Sequence, residues 1–346
     1  MNVNRSGESF SCVAACVESS ERMRSLERRY VMPVLANSET TTAVAVGKVQ
    51  RIFRYPVKSM TGEELTSCEL NESGVVGDHL WALVEVATGK LANAKNPRKW
   101  GHLLGYTSAY VEEPHAGGVV PPITITFPDG TIVRSDQDDV DELISKSVGV
   151  EVHLSRMDET KATVAEMTWI GDILGENNFS KLGSTNEHGE HHIEFDLFGK
   201  PGRSYDLGDL HVMTTSALEH MKTLNPDATF DVRRYRPNFL IDTDEPGLVE
   251  AEWVGKDLHI GEASSTVVMN TVRCIMTTLP REELPLDRGT LRSLVKHNTR
   301  VVEPFGDWAC IGVYSNITAT GRVEIGSVTA VSDPVVTEDA EEPASA

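Results

Sequence analysis

The sequence has no run approaching the roughly 18 consecutive apolar residues that a membrane-crossing helix needs, so no segment reads as a membrane span. It is short of basic residues: 32 Lys and Arg stand against 52 Asp and Glu, a net charge of −20. Such a chain suits neither nucleic acid nor an anionic membrane, since both need clustered cations to neutralise phosphate. Cysteine is sparse and scattered, with five residues at positions 12, 16, 68, 274 and 310. An odd set without scaffold spacing excludes a disulfide framework and points to a reducing compartment, the cytoplasm, where a cysteine matters as a thiolate. A targeting leader is also not evident. Arg5 is followed by Glu8, Glu18 and Glu21 with no apolar core behind them, against the pattern of signal and transit peptides.

The 346 residues suffice for two compact domains with tails. Residues 1–46 balance five Arg against five Glu and read as an N-terminal extension, either helical or disordered. Within it, residues 9–29 fit one amphipathic helix carrying Cys12 and Cys16 on one face. No second Cys or His pair accompanies them, so they read as two small apolar residues rather than half a metal site. Residues 332–346 hold acids and no base, and read as a solvated, disordered tail.

Between the tails, residues 47–155 read as a mainly β unit. Val49, Ile52 and Phe53 lead to Pro56, where a strand should end. Ile123 to Phe127, then Pro128-Asp129-Gly130 and Ile132-Val133, is a hairpin signature. Gln137 to Val148 has helical spacing with acids in its first turn. Residues 156–204, with Gly171, Gly175 and Gly183 and a polar run through His192, read as an irregular linker or a long, partly ordered excursion. His188, His191 and His192 with Glu187, Glu190 and Glu194 fall there, and a solvated loop suits them better than a metal site. Residues 205–331 form a second patterned unit. Leu210 to Met213 reads as a strand, Ser216 and Glu219 have capping-box spacing, and strands are expected at Asn238–Ile241, Leu258–Ile260, Thr266–Met269, Trp308–Tyr314 and Val323–Val331. Leu291 to His297 reads as a short helix, and Cys68 and Cys310 fall in strand patterns.

Two motifs carry chemistry. Arg273-Cys274, at the end of an expected strand, sets a cation beside a thiol and so favours the thiolate. Arg233-Arg234-Tyr235-Arg236-Pro237-Asn238 concentrates three guanidiniums in a strongly acidic protein. Such a cluster suits an anionic ligand such as a phosphate, while pairing with local acids such as Asp231 and Asp242 is the alternative.

Tyr55-Pro56-Val57-Lys58-Ser59 and Gly77-Asp78 before Trp81 resemble the N-terminal β-barrel module that precedes MOSC domains (molybdenum cofactor sulfurase C-terminal domains). Arg236-Pro237-Asn238, Trp253-Val254-Gly255, Arg273-Cys274-Ile275-Met276-Thr277-Thr278 and Gly321 to Gly326 resemble the MOSC domain itself, so the resemblance spans about 47–331. It implies a mainly β fold with peripheral helices, an N-terminal β-barrel-like module packed on a MOSC β-barrel. It also implies a molybdenum cofactor, a pterin dithiolene bearing molybdenum and a phosphate. By similarity to the mitochondrial amidoxime-reducing component, Cys274 would ligate molybdenum. Lys58 and Ser59 would approach the phosphate. Arg236, Arg273 and Asn238 would bind the cofactor, Asp206 would hold the pterin amino and ring N–H groups, and Thr214 and Thr215 would offer donors at a helix start. His79 stands where such proteins usually carry an arginine.

The activity implied is reduction of N-hydroxylated compounds by two-electron oxygen removal, with a small-molecule substrate. Electrons would come from a separate protein of flavin, iron–sulfur or cytochrome type, because the chain has neither a [2Fe–2S] cysteine cluster nor a Rossmann glycine motif. The alternative is a module without turnover, carrying sulfur as a persulfide on Cys274 or delivering cofactor.

Overall fold

Alternating apolar residues in seven stretches produce the strands of one closed barrel: β1 (Val44–Arg54), β2 (Leu210–Thr214), β3 (Phe239–Asp242), β4 (Asp257–Ile260), β5 (Ala263–Val272), β6 (Gly306–Ala319) and β7 (Val328–Ser332). This computed structural model describes residues 42–159, 207–302 and 306–334, and the backbone of Val164–Met167, Gly183–Thr185 and His191–Glu194. Around the barrel the order is β2-β3-β1-β7-β4-β5-β6, and β6 pairs back onto β2 through Leu210↔Ser315, His211↔Tyr314 and Val212↔Val313. Closure leaves these seven strands no free edge. Val49, Ile52, Val212, Phe239, Leu258 and Val313 fill the interior.

Of the barrel pairings only β2–β3 is parallel. A parallel pair needs a crossover, supplied here by helix α2 (Thr215–Leu224) and the turn at Val232–Arg234. The starts of β2 and β3 therefore lie side by side at one rim. β1 runs antiparallel to β3, with Ile52 opposite Phe239, so its C-terminal end meets the same rim. Residues 55–60, which continue from β1, are delivered to residues 235–238, which lead into β3.

The remaining N-terminal strands form smaller sheets. Trp81–Glu85 pairs with Val152–Arg156, and Thr107–Tyr110, Ile123–Thr126 and Ile132–Arg134 make a meander. Its Asp129-Gly130 turn places Gly130 at φ 87°. Helix α1 (Val140–Val148) closes this layer, packing Val140, Ile144 and Val148 into the core with Trp100, Leu103, Tyr106 and Ile125. Strand Ser67–Asn71 pairs with Gly321–Glu324, a second tie between early and late sequence. The whole is mainly β with peripheral helices, as the sequence implies. Cys68 and Cys310 are buried, and burial pushes their thiols up to about 12 and about 11.

Several expectations need correction. Residues 156–204, read as irregular, contain a three-stranded antiparallel sheet of short strands, which periodicity could not reveal in segments of three or four residues. His191, His192 and Glu194 lie on one of them. Helix α2 starts at Thr215, two residues before the Ser216 capping box suggests, because the Thr214 hydroxyl accepts the Ala217 N–H at 3.2 Å. Helix α3 (Arg288–His297) likewise begins earlier, capped by Asp287 accepting from Gly289 N at 2.8 Å. Val323–Val331 is two strands parted by a turn at Gly326 rather than one run. The 1–41 and 335–346 segments, with Cys12 and Cys16, lie outside the described residues.

One acid is wholly buried against the barrel. Glu250 accepts from the Thr214 hydroxyl at 2.7 Å and from Gly312 N at 3.2 Å. Burial raises its pKa, and those bonds offset this only in part. A raised carboxyl contributes stability below its unfolded value and loses it as pH rises through the folded one. Glu250→Gln removes the charge, its Oε1 accepting from Gly312 N and its amide donating to the Thr214 hydroxyl. Its Tm is expected to exceed wild type by about 2 °C or more at pH 8, the gap closing toward pH 4.5; a pH-independent difference would contradict the assignment.

Candidate functional site

The rim where β1, β2 and β3 meet is organised by residues 233–238. Asp231 caps the turn, accepting from Arg233 N at 2.9 Å. Beyond it, successive carbonyls each receive a donor from another part of the chain. Arg281 donates to the carbonyls of Arg233 (2.9 Å) and Arg234 (3.3 Å), and Arg273 to that of Tyr235 (2.7 Å). His211 Nδ1 reaches the Arg236 carbonyl (3.3 Å), the Tyr55 hydroxyl donates to Pro237 (3.0 Å), and Phe53 N donates to Asn238 (2.8 Å). The Asn238 side chain closes the set by accepting from His211 N at 3.0 Å and donating to Asp78 at 3.0 Å.

Asp78 is fully buried. It accepts from Tyr55 N at 2.6 Å and contacts His79 Nδ1 at 2.9 Å. Burial pushes its carboxyl up, but the adjacent His79 ring and the bonds from His79, Tyr55 and Asn238 outweigh this and leave it lowered. Tyr55, held at its backbone by Asp78, carries the Arg236 guanidinium over its ring at 4.1 Å, and Arg236 also donates to the Met60 carbonyl. Lys58 and Ser59 are buried in the same loop, where the Ser59 hydroxyl accepts from Ala94 N at 3.0 Å. Next to Ala94, Asn93 is buried with its Nδ2 lacking a protein partner.

Among the described residues four non-glycine residues have positive φ: Ser59 (67°), His79 (49°), Arg236 (56°) and Glu282 (45°). Three are sequence-predicted site residues, and the fourth follows Arg281. Such conformations cost on the order of 1–3 kcal/mol each and persist where surrounding contacts over-determine them.

Cys274 is half-buried. It follows β5 and precedes the turn Ile275–Thr278. Arg273 beside it donates to the Tyr235 carbonyl and approaches His211 Nε2 at 3.4 Å. The His211 pKa is well below its usual value, first through burial and then through Arg273, so the ring is neutral. Gly312, at φ 80° in mid-β6, makes room for it: a Cβ there would sit 2.5 Å from His211 Nε2.

Arg234, Arg236, Arg273 and Arg281 thus converge on one rim. Their hydrogen-bond partners named here are carbonyls and the neutral His211, with no carboxylate among them. The charge on Arg281 is destabilised first by burial, then by Arg236, Arg234 and Arg273. Among the described residues, Nε of Arg234, Arg273 and Arg281 has no hydrogen-bond partner. Four guanidiniums crowded onto carbonyls and a neutral imidazole are an arrangement that an anionic ligand completes.

Of the sequence-predicted residues, Lys58, Ser59, His79, Arg236, Asn238 and Arg273 come together, with Cys274 adjoining Arg273. Thr214 and Thr215 do not join them. Thr214 ends β2 and Thr215 begins α2, whereas the cluster is at the start of β2, and their hydroxyls are used by Glu250 (2.7 Å) and Asp242 (3.0 Å). Arg233 points away to Asp231, Glu282 and Glu283, so for this residue pairing with local acids holds. Asp206 lies outside the described residues. Sequence reasoning missed the roles of Arg281, Asp78, Tyr55, His211 and Asn93. The arginine at 281 sits seven residues after Cys274, a distance at which only the folded turn brings it back.

Removing the Asp78 charge while keeping its volume tests the hub. Asp78→Asn is expected to cost about 3 kcal/mol in denaturant melts at pH 7. The folded carboxyl is lowered, so its contribution holds above 3.8, the usual carboxylate value, and fades as pH falls below it; an unchanged midpoint at pH 7 would refute the role.

Comparison with known proteins bears on this arrangement. A family model described as MOSC N-terminal beta barrel domain matches residues 46–103, and one described as MOSC domain matches residues 206–329, together more than half the chain. No curated protein matches the chain. A solved structure, the YuaD protein from Bacillus subtilis, is similar at 10 % identity with a TM-score of 0.39, over 86 % of this chain and 100 % of that one. With both models matched in order and the rim built from residues inside them, the chain belongs to the MOSC domain proteins, with a MOSC N-terminal beta barrel domain ahead of its MOSC domain.

Proposed function

We propose that this protein binds a molybdenum cofactor at the arginine-lined rim and reduces N-hydroxylated compounds, with Cys274 as the protein ligand to molybdenum. The observation that carries the reading is the convergence of four guanidiniums, two of them buried, on one rim contiguous with a half-buried cysteine. A phosphate-bearing, sulfur-ligated cofactor fits that donor set. Arg236 and Arg273 supply fixed positive charge, Lys58 and Ser59 a cation and a hydroxyl, and the orphaned Asn93 amide a further donor. A thiolate is a suitably soft ligand.

When bound, the cofactor supplies a two-electron redox centre with an open position for oxygen. The overall reaction takes the N–OH substrate, two electrons and two protons to the N–H product and water, the N–O bond being broken. A separate electron-donor protein of flavin, iron–sulfur or cytochrome type delivers the electrons. The rim's part is binding and orientation: guanidiniums anchored on carbonyls, over rings at Tyr55 and Tyr235, cannot follow a mobile ligand and so fix it.

Purified full-length protein is expected to contain molybdenum near one per chain and to reduce benzamidoxime with a chemical reductant. Cys274→Ser should lower turnover by about 100-fold or more with its Tm unchanged. Absence of molybdenum with a persulfide on Cys274 after incubation with a cysteine desulfurase would replace this reading by sulfur carriage.

A further inference from the structure

Arg234 and Arg281 contact each other's chain segments reciprocally. Arg234, from the turn before β3, donates to the carbonyls of Thr277 (3.4 Å), Leu279 (3.4 Å) and Pro285 (2.7 Å). Arg281, from the loop after Cys274, donates back to the carbonyls of Arg233, Arg234 and Met276. Both side chains are buried, at 1 % and 3 % exposure, so neither is a surface contact that water could replace at little cost.

This exchange completes the backbone of the cysteine turn. The Cys274 carbonyl accepts from Thr277 N (3.2 Å) and its hydroxyl (3.0 Å), and that of Ile275 from the Thr278 hydroxyl (2.8 Å). The Met276 carbonyl takes Leu279 N and Arg281, that of Thr277 takes Arg234, that of Thr278 takes Asp287 N (2.9 Å), and that of Leu279 takes Arg234. Every carbonyl from 274 to 279 is thus occupied, three of them by the two arginines. Lysine could not do this, because one ammonium cannot reach carbonyls on two segments in the planar fork geometry of a guanidinium.

The clamp uses two positive charges where neutral donors would serve, beside Arg236 and Arg273. Like charges crowded out of water oppose one another, and carbonyl dipoles offset that only in part. A bound anion would relieve the repulsion that loosens the clamp. By linkage, whatever the anion gains from an ordered clamp, the clamp gains from the anion.

We propose that the Arg234–Arg281 clamp couples anion occupancy of the rim to ordering of the Cys274 turn, so that a phosphate-bearing ligand tightens residues 274–281 and fixes the thiol in position. Arg234 and Arg281 are positioning residues in this scheme and act through the turn. The inference rests on the rim being the anion site proposed above, and deepens it by making the ligand's own charge set the cysteine's order.

The test uses the full chain from a host that cannot make a molybdenum cofactor, with inorganic pyrophosphate as probe. Calorimetry reads binding, and amide hydrogen exchange reads residues 274–281. Pyrophosphate is expected to bind and slow exchange there by about 10-fold or more. In Arg281→Gln, and equally in Arg281→Lys, which keeps the charge but not the fork, pyrophosphate should bind more weakly, and at saturation the slowing should still be lost. If pyrophosphate binds wild type and exchange is unchanged, or if either variant retains the full slowing, the coupling is wrong and the anion site stands. If pyrophosphate does not bind wild type, the anion site and the coupling both fall.

Discussion

The carbonyls of residues 233–238 are the constraint on which the rest of this site depends. A segment entering a barrel strand cannot leave a row of acceptors unsatisfied in a water-poor rim. Here each is met by a different part of the chain: Arg281 twice, then Arg273, His211, Tyr55 and Phe53. Backbone satisfaction and site assembly are therefore one event. The groups that pair this row also bring the residue before the cysteine, the Tyr55–Ser59 loop and the buried Asp78 network to one place.

That arrangement explains the distribution of strain. Ser59, His79 and Arg236 hold positive φ where the side chain or backbone is tied to another part of the chain: Ser59 to Ala94, His79 to the Tyr55 carbonyl, Arg236 to Met60 and Tyr55. It also explains how early and late sequence meet. β1 lies between β3 and β7, so the barrel cannot close without the N-terminal strand, and closing it carries residues 55–60 to the arginines.

Much of this was legible from the sequence. The hairpin at Asp129-Gly130 follows from local turn chemistry, and the barrel strands from alternation. The arginine run before Asn238 and the Arg273-Cys274 pair stood out against an acidic background. What was hidden depended on distance in sequence. Arg281 carries no local signal until the turn folds it under Arg233 and Arg234, and His211 reads as a strand residue until Gly312 opens space for it. Thr214 misled in the opposite way: a helix-start hydroxyl suggests a ligand donor, but a buried Glu250, invisible locally, takes it.

The account turns on Cys274 being held at the rim as a ligand to molybdenum, beside guanidiniums that hold the cofactor's anionic part. X-ray absorption at the molybdenum edge tests this most directly, comparing wild type with Cys274→Ser. The account predicts that wild type shows one sulfur ligand beyond the dithiolene pair, and that the variant loses it. Identical sulfur coordination in the two proteins would contradict it.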